Sequence, residues 1–214
     1  MENLRVKICG ITNLADARYC AGAGADYLGF IQSEASSRYV EPDMAREIFE
    51  WVAGVKTVGV FVDADVETLN ETASAVGFDI VQLHGDESVE YCSQVARPVI
   101  KVFRIRNDDD PAALQKKLDP YIPHVYGLLF DTFVENQPGG TGRTFSWETV
   151  SALDLDVPLF LAGGLNAANA AEAVTAVGPY GIDVSSGVEQ SPGMKDFAAV
   201  DDLFAALAPF RAAP

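Results

Sequence analysis

A lone thiol at the end of the first predicted strand is the first feature of this sequence that could do chemistry. The apolar residues 6–8 lead directly to Cys9, and Gly10 follows, where the backbone can turn sharply or approach a ligand closely. Lys7 lies two residues before Cys9, so on a strand both side chains point to one face. A nearby ammonium favours the thiolate, the form of a cysteine that can accept a proton. Cys9 is therefore a candidate general base.

A carboxylate in an equivalent place is the candidate acid. Asp131 ends the apolar run 127–130. If this run is a barrel strand, partial desolvation would raise the pKa of the Asp131 carboxyl and suit it to general acid catalysis. The alternative is a helix cap or a solvated loop aspartate. Together with Cys9, Asp131 would form an acid–base pair that moves a proton across a small substrate.

Glycines and serines after two late strands predict a phosphate site. Gly163 and Gly164 follow one strand, and Ser185 and Ser186 follow the next. Glycines let backbone N–H groups approach phosphate oxygens, and serines add hydroxyl donors without charge. The alternative is a pair of tight turns. Within the last strand, Asp183 is the predicted ion-pair partner of Lys7, since the first and last strands of a closed barrel are neighbours.

Two further side chains fall in loops after predicted strands. Arg38 could clamp a second anionic group bidentately, and a surface salt bridge is the equally weighted alternative. His84 is placed to contact the substrate, although a structural histidine bonded to the backbone is a close rival. His124 precedes a strand and is assigned no function.

Strand-length apolar runs alternate with helical patterns along the whole chain, and this alternation positions the candidate residues. The predicted strands are 6–8, 27–31, 57–61, 80–83, 99–103, 127–130, 159–162 and 182–184. The predicted helices are 14–21, 42–52, 66–76, 88–95, 111–118, 147–153, 167–177 and 197–207. Eight such units predict an α/β fold, a single-domain (β/α)₈ TIM barrel of parallel strands spanning residues 1–214. An open doubly wound sheet is the alternative, but the first strand–helix turn has no G-x-G-x-x-G fingerprint. The active site of such a barrel lies at the carboxyl ends of its strands, where all the candidates fall except Lys7 and Asp183, which lie within strands.

Composition excludes several classes of function. A nucleic acid binds to a basic protein surface, and the formal net charge of −16 argues against such a surface here. No apolar run is long enough to span a membrane, and the first residues lack the apolar stretch of a signal peptide, so a cytoplasmic location is expected. The three cysteines and two histidines show no metal-ligand spacing, so neither a metal nor a cofactor is predicted. The expected partner is a small molecule, and the chain is expected to be a monomer, with a dimer as the alternative.

Motifs along the chain resemble those of the phosphoribosylanthranilate isomerase family. They are residues 7–12 (KICGIT), 37–40 (SRYV), 82–85 (QLHG), 131–132 (DT), 139–145 (GGTGRTF) with Trp147, 163–166 (GGLN) and 183–189 (DVSSGVE). The resemblance implies a (β/α)₈ barrel that performs a cofactor-free Amadori rearrangement of N-(5′-phosphoribosyl)anthranilate in tryptophan biosynthesis.

The resemblance also implies roles for the candidate residues. Asp131 would be the general acid, Cys9 the general base, and Arg38 the partner of the anthranilate carboxylate. The loops after the seventh and eighth strands would hold the phosphate, and residues 132–145 would form a lid over the site. Residues 32–34 (QSE) depart from the family pattern, because Glu34 adds a carboxylate near the expected anionic substrate.

Three alternatives to this function remain at the level of the sequence. One is a different barrel enzyme acting on a phosphorylated sugar, such as a Schiff-base aldolase that uses Lys101. Another is a barrel that binds a phosphorylated ligand without catalysis, although simple binding needs neither Cys9 nor Asp131. The third is activity on the related aminoaldose of histidine biosynthesis, which would require a phosphate anchor at each end of the substrate.

Overall fold

Eight parallel strands form a closed barrel in the computed structural model, which describes residues 3–106, 109–131 and 147–211. The barrel strands are β1 Arg5–Cys9, β2 Tyr27–Ile31, β3 Lys56–Phe61, β4 Ile80–Leu83, β5 Val99–Arg104, β6 Gly127–Asp131, β7 Leu159–Ala162 and β8 Gly181–Val184. They pair in chain order, and β8 closes the ring on β1. The predicted barrel is confirmed.

Eight α-helices in the described residues alternate with these strands. They are α1 Leu14–Gly22, α2 Pro42–Glu50, α3 Val66–Val76, α4 Val89–Gln94, α5 Pro111–Leu118, α6 Trp147–Ser151, α7 Ala170–Val177 and α8 Phe197–Leu207. Short 3₁₀ helices lie at Ile122–His124, Ser186–Val188 and Ala208–Phe210. Over the described ranges, no helix is both long and apolar enough to cross a membrane.

Several predicted bounds shift by one or two residues, including the ends of α2 and α6, and two local features differ more. Helix α7 begins three residues later than predicted, because side-chain hydrogen bonds hold the preceding residues in turns. The Asn166 side chain accepts from the Ala168 amide, and the Asn169 side chain accepts from the Asn166 amide. After β8 the chain also forms a small antiparallel hairpin of β9, Glu189–Ser191, and β10, Met194–Lys195. Gly193, with a φ of 80°, makes the turn between these two strands.

The strands are buried on both faces, which explains their nearly continuous apolar sequence. Alternate residues fill the barrel interior, and these are Tyr27, Val58, Ile80, Ile100, Val102, Leu129, Phe160 and Ala162. Most of the other apolar strand residues pack with the helices in a second, larger apolar cluster. The period of two then places Gln82, two residues beyond Ile80, and Asp131, two residues beyond Leu129, on the interior side at the carboxyl end of the barrel.

Candidate active site

A cavity of about 220 Å³ opens at the carboxyl ends of the strands. Its lining residues are Cys9, Ile31, Arg38, Val60, Gln82, His84, Asp131, Ala162, Gly163, Gly164, Leu165, Asp183, Ser185, Ser186 and Gly187. The structure thus brings together every candidate site residue from the sequence except Lys7, which lies deeper in the barrel. The cavity is the candidate active site because the proposed acid, base and phosphate-binding groups all face it.

Lys7 and Asp183 form a buried ion pair next to the thiol. The two residues are register partners on β1 and β8, and Lys7 Nζ donates to Asp183 Oδ1 at 2.9 Å. The Lys7 side chain is fully buried, and Asp183 is the partner that the sequence predicted. A Cβ at Gly29 would lie 2.8 Å from Cys9 Sγ and 3.0 Å from Lys7 Nζ. The glycine therefore provides the space in which the ammonium and the thiol meet, a role that the sequence pattern did not reveal.

Two opposing effects act on the pKa of Cys9. Burial raises the pKa of the Cys9 thiol above its ordinary value of 9.0, and the opposing effect of the Lys7 ammonium is smaller. Lys7 favours the thiolate, as the sequence predicted, but desolvation and the Asp183 carboxylate act in the opposite direction and leave the pKa of Cys9 raised overall. Cys9 therefore lies beside a cation that stabilises a thiolate when one forms.

Lys7→Met is expected to destabilise the protein by about 3–5 kcal/mol, because it leaves the Asp183 carboxylate buried without its partner. Urea unfolding of the variant and the wild type measures this difference in the free energy of unfolding. The double variant Lys7→Met/Asp183→Leu is the matched control, and it should recover part of the loss. If the free energy of unfolding of the single variant fell by less than about 1 kcal/mol, the buried pair would stabilise the protein no more than a surface salt bridge does.

Arg38 is held by a carboxylate that sequence reasoning did not single out. Arg38 Nε donates to both oxygens of Glu189 at 3.0 Å, and Nη2 donates to Oε2 at 2.6 Å. Glu189 Oε1 also accepts from Lys195 Nζ, and this fully buried ammonium donates to the Cys9 carbonyl oxygen at 2.6 Å. The hydrogen bonds of the two cations lower the pKa of Glu189 against the opposing effect of its burial. The β9–β10 hairpin therefore connects Arg38 to the end of β1.

His84 lies between an amide and the candidate acid. Gln82 Nε2 is 3.3 Å from His84 Nδ1, and His84 Nε2 is 3.6 Å from Asp131 Oδ2. Both His84 and Asp131 are partly exposed in the mouth of the barrel. No partner for His84 was evident from the sequence, and the structure supplies two, because residues 82 and 84 share one face of β4 and its extension.

Glycine geometry shapes the end of the cavity that lies beyond β7 and β8. Gly163 and Gly164 have φ angles of 97° and 65°, which L side chains rarely adopt. A Cβ at Gly187 would collide with the carbonyl of Leu165. The backbone of both loops therefore lies close together, with Ser185 and Ser186 beside it in the lining. This arrangement fits an anion held by backbone amides and hydroxyls.

Several other candidates lie outside the cavity. Lys101 is buried and paired with Glu87 at 2.9 Å, on the side of β5 that faces a separate cavity of about 660 Å³. Glu34 is exposed and does not line the site, so its carboxylate does not enter the cavity. His124 lies in the 3₁₀ helix before β6, away from the mouth. The predicted lid, 132–145, falls outside the described residues.

The titratable side chains that line the site are suited to acid–base chemistry. Across residues 3–106, 109–131 and 147–211, no group of three or more His, Cys, Asp or Glu side chains could hold a metal ion. A thiol from β1 and a carboxyl from β6 instead flank a space that ends in a candidate phosphate cradle. Fold and site together define a (β/α)₈-barrel protein whose cavity is suited to acid–base catalysis.

Comparison with known proteins identifies the family. Residues 6–206 match the family described as N-(5′-phosphoribosyl)anthranilate (PRA) isomerase, and the chain belongs to this family. The N-(5′-phosphoribosyl)anthranilate isomerase of Pelobacter propionicus is 45% identical over 202 residues, which cover 94% of this chain and 93% of the relative. The chain is therefore an isomerase enzyme of tryptophan biosynthesis, as the motifs predicted.

Solved structures show the same likeness. The crystal structure of phosphoribosyl anthranilate isomerase from Thermotoga maritima superposes with a TM-score of 0.84 at 37% identity, covering 96% of this chain and 99% of that one. A second structure, of phosphoribosyl anthranilate isomerase in complex with reduced 1-(o-carboxyphenylamino)-1-deoxyribulose 5-phosphate, gives a TM-score of 0.81 at 35% identity, with 96% and 99% coverage.

Proposed function

We propose that this chain converts N-(5′-phosphoribosyl)anthranilate to 1-(2-carboxyphenylamino)-1-deoxyribulose 5-phosphate, with Asp131 as general acid and Cys9 as general base. The observation that carries this proposal is the cavity itself, in which a thiol and a carboxyl from opposite sides face the same space. Proton transfer by two positioned groups is sufficient for an aldose–ketose isomerisation.

In the first step, Asp131 donates a proton to the ribose ring oxygen. The C1–O bond breaks, its electron pair stays on the oxygen, and the anilinic nitrogen forms a C1=N iminium. The iminium makes the proton on C2 acidic, and Cys9 removes it to give an enol-amine. This intermediate tautomerises to the ketone, so the overall reaction only moves hydrogen and needs no oxidant or reductant.

The activation of Cys9 follows from the order of these steps. Burial raises the pKa of the Cys9 thiol in the free enzyme. Ring opening then creates a positive charge at the iminium, and an opposite charge nearby favours the ionised form of a thiol. The Lys7 ammonium adds to this effect from below the cavity. The thiol proton passes to solvent as the thiolate forms, and the thiolate then accepts the C2 proton, which returns Cys9 to its thiol form.

The two anionic ends of the substrate have separate binding groups in this proposal. Gly163, Gly164, Ser185 and Ser186 hold the phosphate, and the neighbouring ion pair of Lys7 and Asp183 supports the cavity floor. Arg38 binds the anthranilate carboxylate with the part of its guanidinium that Glu189 does not engage. Local donors of this kind are needed, since a net charge of −16 opposes the approach of an anion.

Glu189→Gln is expected to raise KM for the phosphoribosyl substrate by about 10-fold or more, with a smaller change in kcat, because Arg38 loses a charged, bidentate partner that orients it. Steady-state kinetics measures the two constants. The neighbouring Gln190→Glu variant, which adds a carboxylate on the same hairpin, is the control and should retain a KM close to that of the wild type. An unchanged KM in Glu189→Gln would remove Glu189 from substrate binding.

The proposed function is tested with freshly prepared phosphoribosylanthranilate and purified protein without added metal or cofactor. Loss of the anthranilate fluorescence well above the uncatalysed background, with the ketose product identified by mass, would support the proposal. Borohydride trapping of the protein to the substrate would instead indicate the Schiff-base aldolase. Turnover of the histidine-pathway aminoaldose, measured in parallel, would extend the substrate range.

We further propose that the chain forms one (β/α)₈ domain, is located in the cytoplasm and is active as a monomer or dimer. A structural relative from Thermotoga maritima is described as mutually generated monomers of a dimeric enzyme, so both forms occur among neighbours of this fold. Light scattering during size-exclusion chromatography distinguishes the two states.

A further inference from the structure

The amide of Gln82 is the buried polar group in the cavity wall that the proposed mechanism leaves unused. Gln82 lies on β4 between Val60 of β3 and Ile100 of β5, and its side chain is almost completely buried. Its Nε2 contacts His84, but its Oε1 has no hydrogen-bond partner within the part of the chain that the structure describes. A buried amide oxygen without a partner costs folding free energy. Because this oxygen lies in the wall of the candidate cavity, we infer that it accepts a hydrogen bond from a donor group of the ligand.

The contact between Gln82 and His84 also indicates the position of a proton. An amide nitrogen only donates, so in this orientation of the Gln82 amide His84 Nδ1 accepts from Gln82 Nε2. A neutral imidazole that accepts at Nδ1 carries its hydrogen on Nε2. This nitrogen faces Asp131 Oδ2 at 3.6 Å.

We propose that Gln82 is a positioning residue of the isomerase, which sets the tautomer of His84 and accepts a hydrogen bond from a substrate hydroxyl at Oε1. This inference rests on the proposed function. The His84 Nε2–H then faces the Asp131 carboxyl, which supplies the proton that opens the ribose ring. Once that proton is transferred, the same N–H faces a full carboxylate. The interaction is therefore stronger after proton transfer than before it, as catalysis requires.

The first test reads the tautomer without using activity. The sequence contains two histidines, so ¹⁵N-labelled protein gives two sets of imidazole signals, and His124→Gln assigns those of His84. At mildly alkaline pH, the free wild type should show His84 protonated on Nε2 and unprotonated on Nδ1. A proton on Nδ1 of His84 would overturn the proposal.

The second test reverses the hydrogen bond. Gln82→Glu keeps the size of the side chain but presents a carboxylate to His84 Nδ1, which should move the imidazole proton to Nδ1. We expect kcat to fall about 10-fold to 100-fold, the effect of one hydrogen bond to a charged group. KM should change little, because the second carboxylate oxygen still accepts from the substrate hydroxyl.

Gln82→Met distinguishes the two proposed roles of the amide, which are to set the His84 tautomer and to accept from the substrate hydroxyl. It also replaces the glutamate variant in this test if that variant does not fold. It removes both the donor and the acceptor, so kcat should fall as in Gln82→Glu and KM should rise as well. Wild-type kinetic constants in either folded variant would overturn the proposal. An inactive wild type would refute the proposed function instead, and the spectrum of His84 would still report whether Gln82 sets its tautomer.

Discussion

Asp131→Asn is expected to reduce kcat by about 10²–10⁴-fold, the contribution of a positioned general acid. The asparagine amide has the same shape as the carboxyl but no acidic proton to give to the ribose ring oxygen. Asp131 lies at the end of β6 in the mouth of the barrel, partly exposed and 3.6 Å from His84. The substitution therefore changes the chemistry of the site without opening a cavity in the core.

Fluorescence initial rates at saturating substrate measure this effect. The variant should still bind the reduced product analogue, because the phosphate and carboxylate contacts remain. Asp86→Asn is the matched control, since Asp86 is an exposed carboxylate on the neighbouring loop after β4. An Asp131→Asn enzyme with nearly full activity would remove Asp131 from the mechanism.

Cys9→Ser is expected to cause a loss of similar size, about 10²–10⁴-fold in kcat. The serine hydroxyl is a far weaker acid than the thiol, so the nearby Lys7 ammonium and the iminium cannot ionise it near neutral pH. The side chain is nearly isosteric and sits against Gly29, so the fold should tolerate it.

The matched control for this variant is Cys92→Ser. Cys92 is a buried thiol on α4 outside the cavity, and burial raises its pKa to about 11. Its substitution should leave kcat near the wild-type value, even if it lowers stability slightly. Equal losses of activity in the two serine variants would show that the effect of Cys9→Ser comes from the fold and not from the loss of a base.

The sequence predicted the barrel and most of the site because both depend on local pattern. Each strand is an apolar run of the right length, and residues at its carboxyl end must meet at one face. Lys7 and Asp183 were predictable as partners because the ring closes β8 on β1. The family motifs added the identities of acid and base, which the geometry of the cavity then supports.

What the sequence did not predict depends on tertiary contacts. The bidentate ion pair between Glu189 and Arg38 forms because the β9–β10 hairpin folds back toward the end of β1. Gly29 looked like an ordinary strand residue, yet the space it leaves is where Lys7 and Cys9 meet. The raised pKa of Cys9 could not be predicted either, since it reflects a balance between burial and charge that spacing alone does not measure.

The measurement that tests the central claim most directly is the isotope effect of deuterium at C2 of the ribosyl substrate, determined on kcat for wild type, Cys9→Ser and Asp131→Asn. The account predicts a primary isotope effect in Cys9→Ser, because removal of the C2 proton becomes the slow step when the base is lost. In Asp131→Asn ring opening becomes slow, so the isotope effect should be close to unity. A primary effect in Asp131→Asn together with none in Cys9→Ser would contradict the assignment of acid and base.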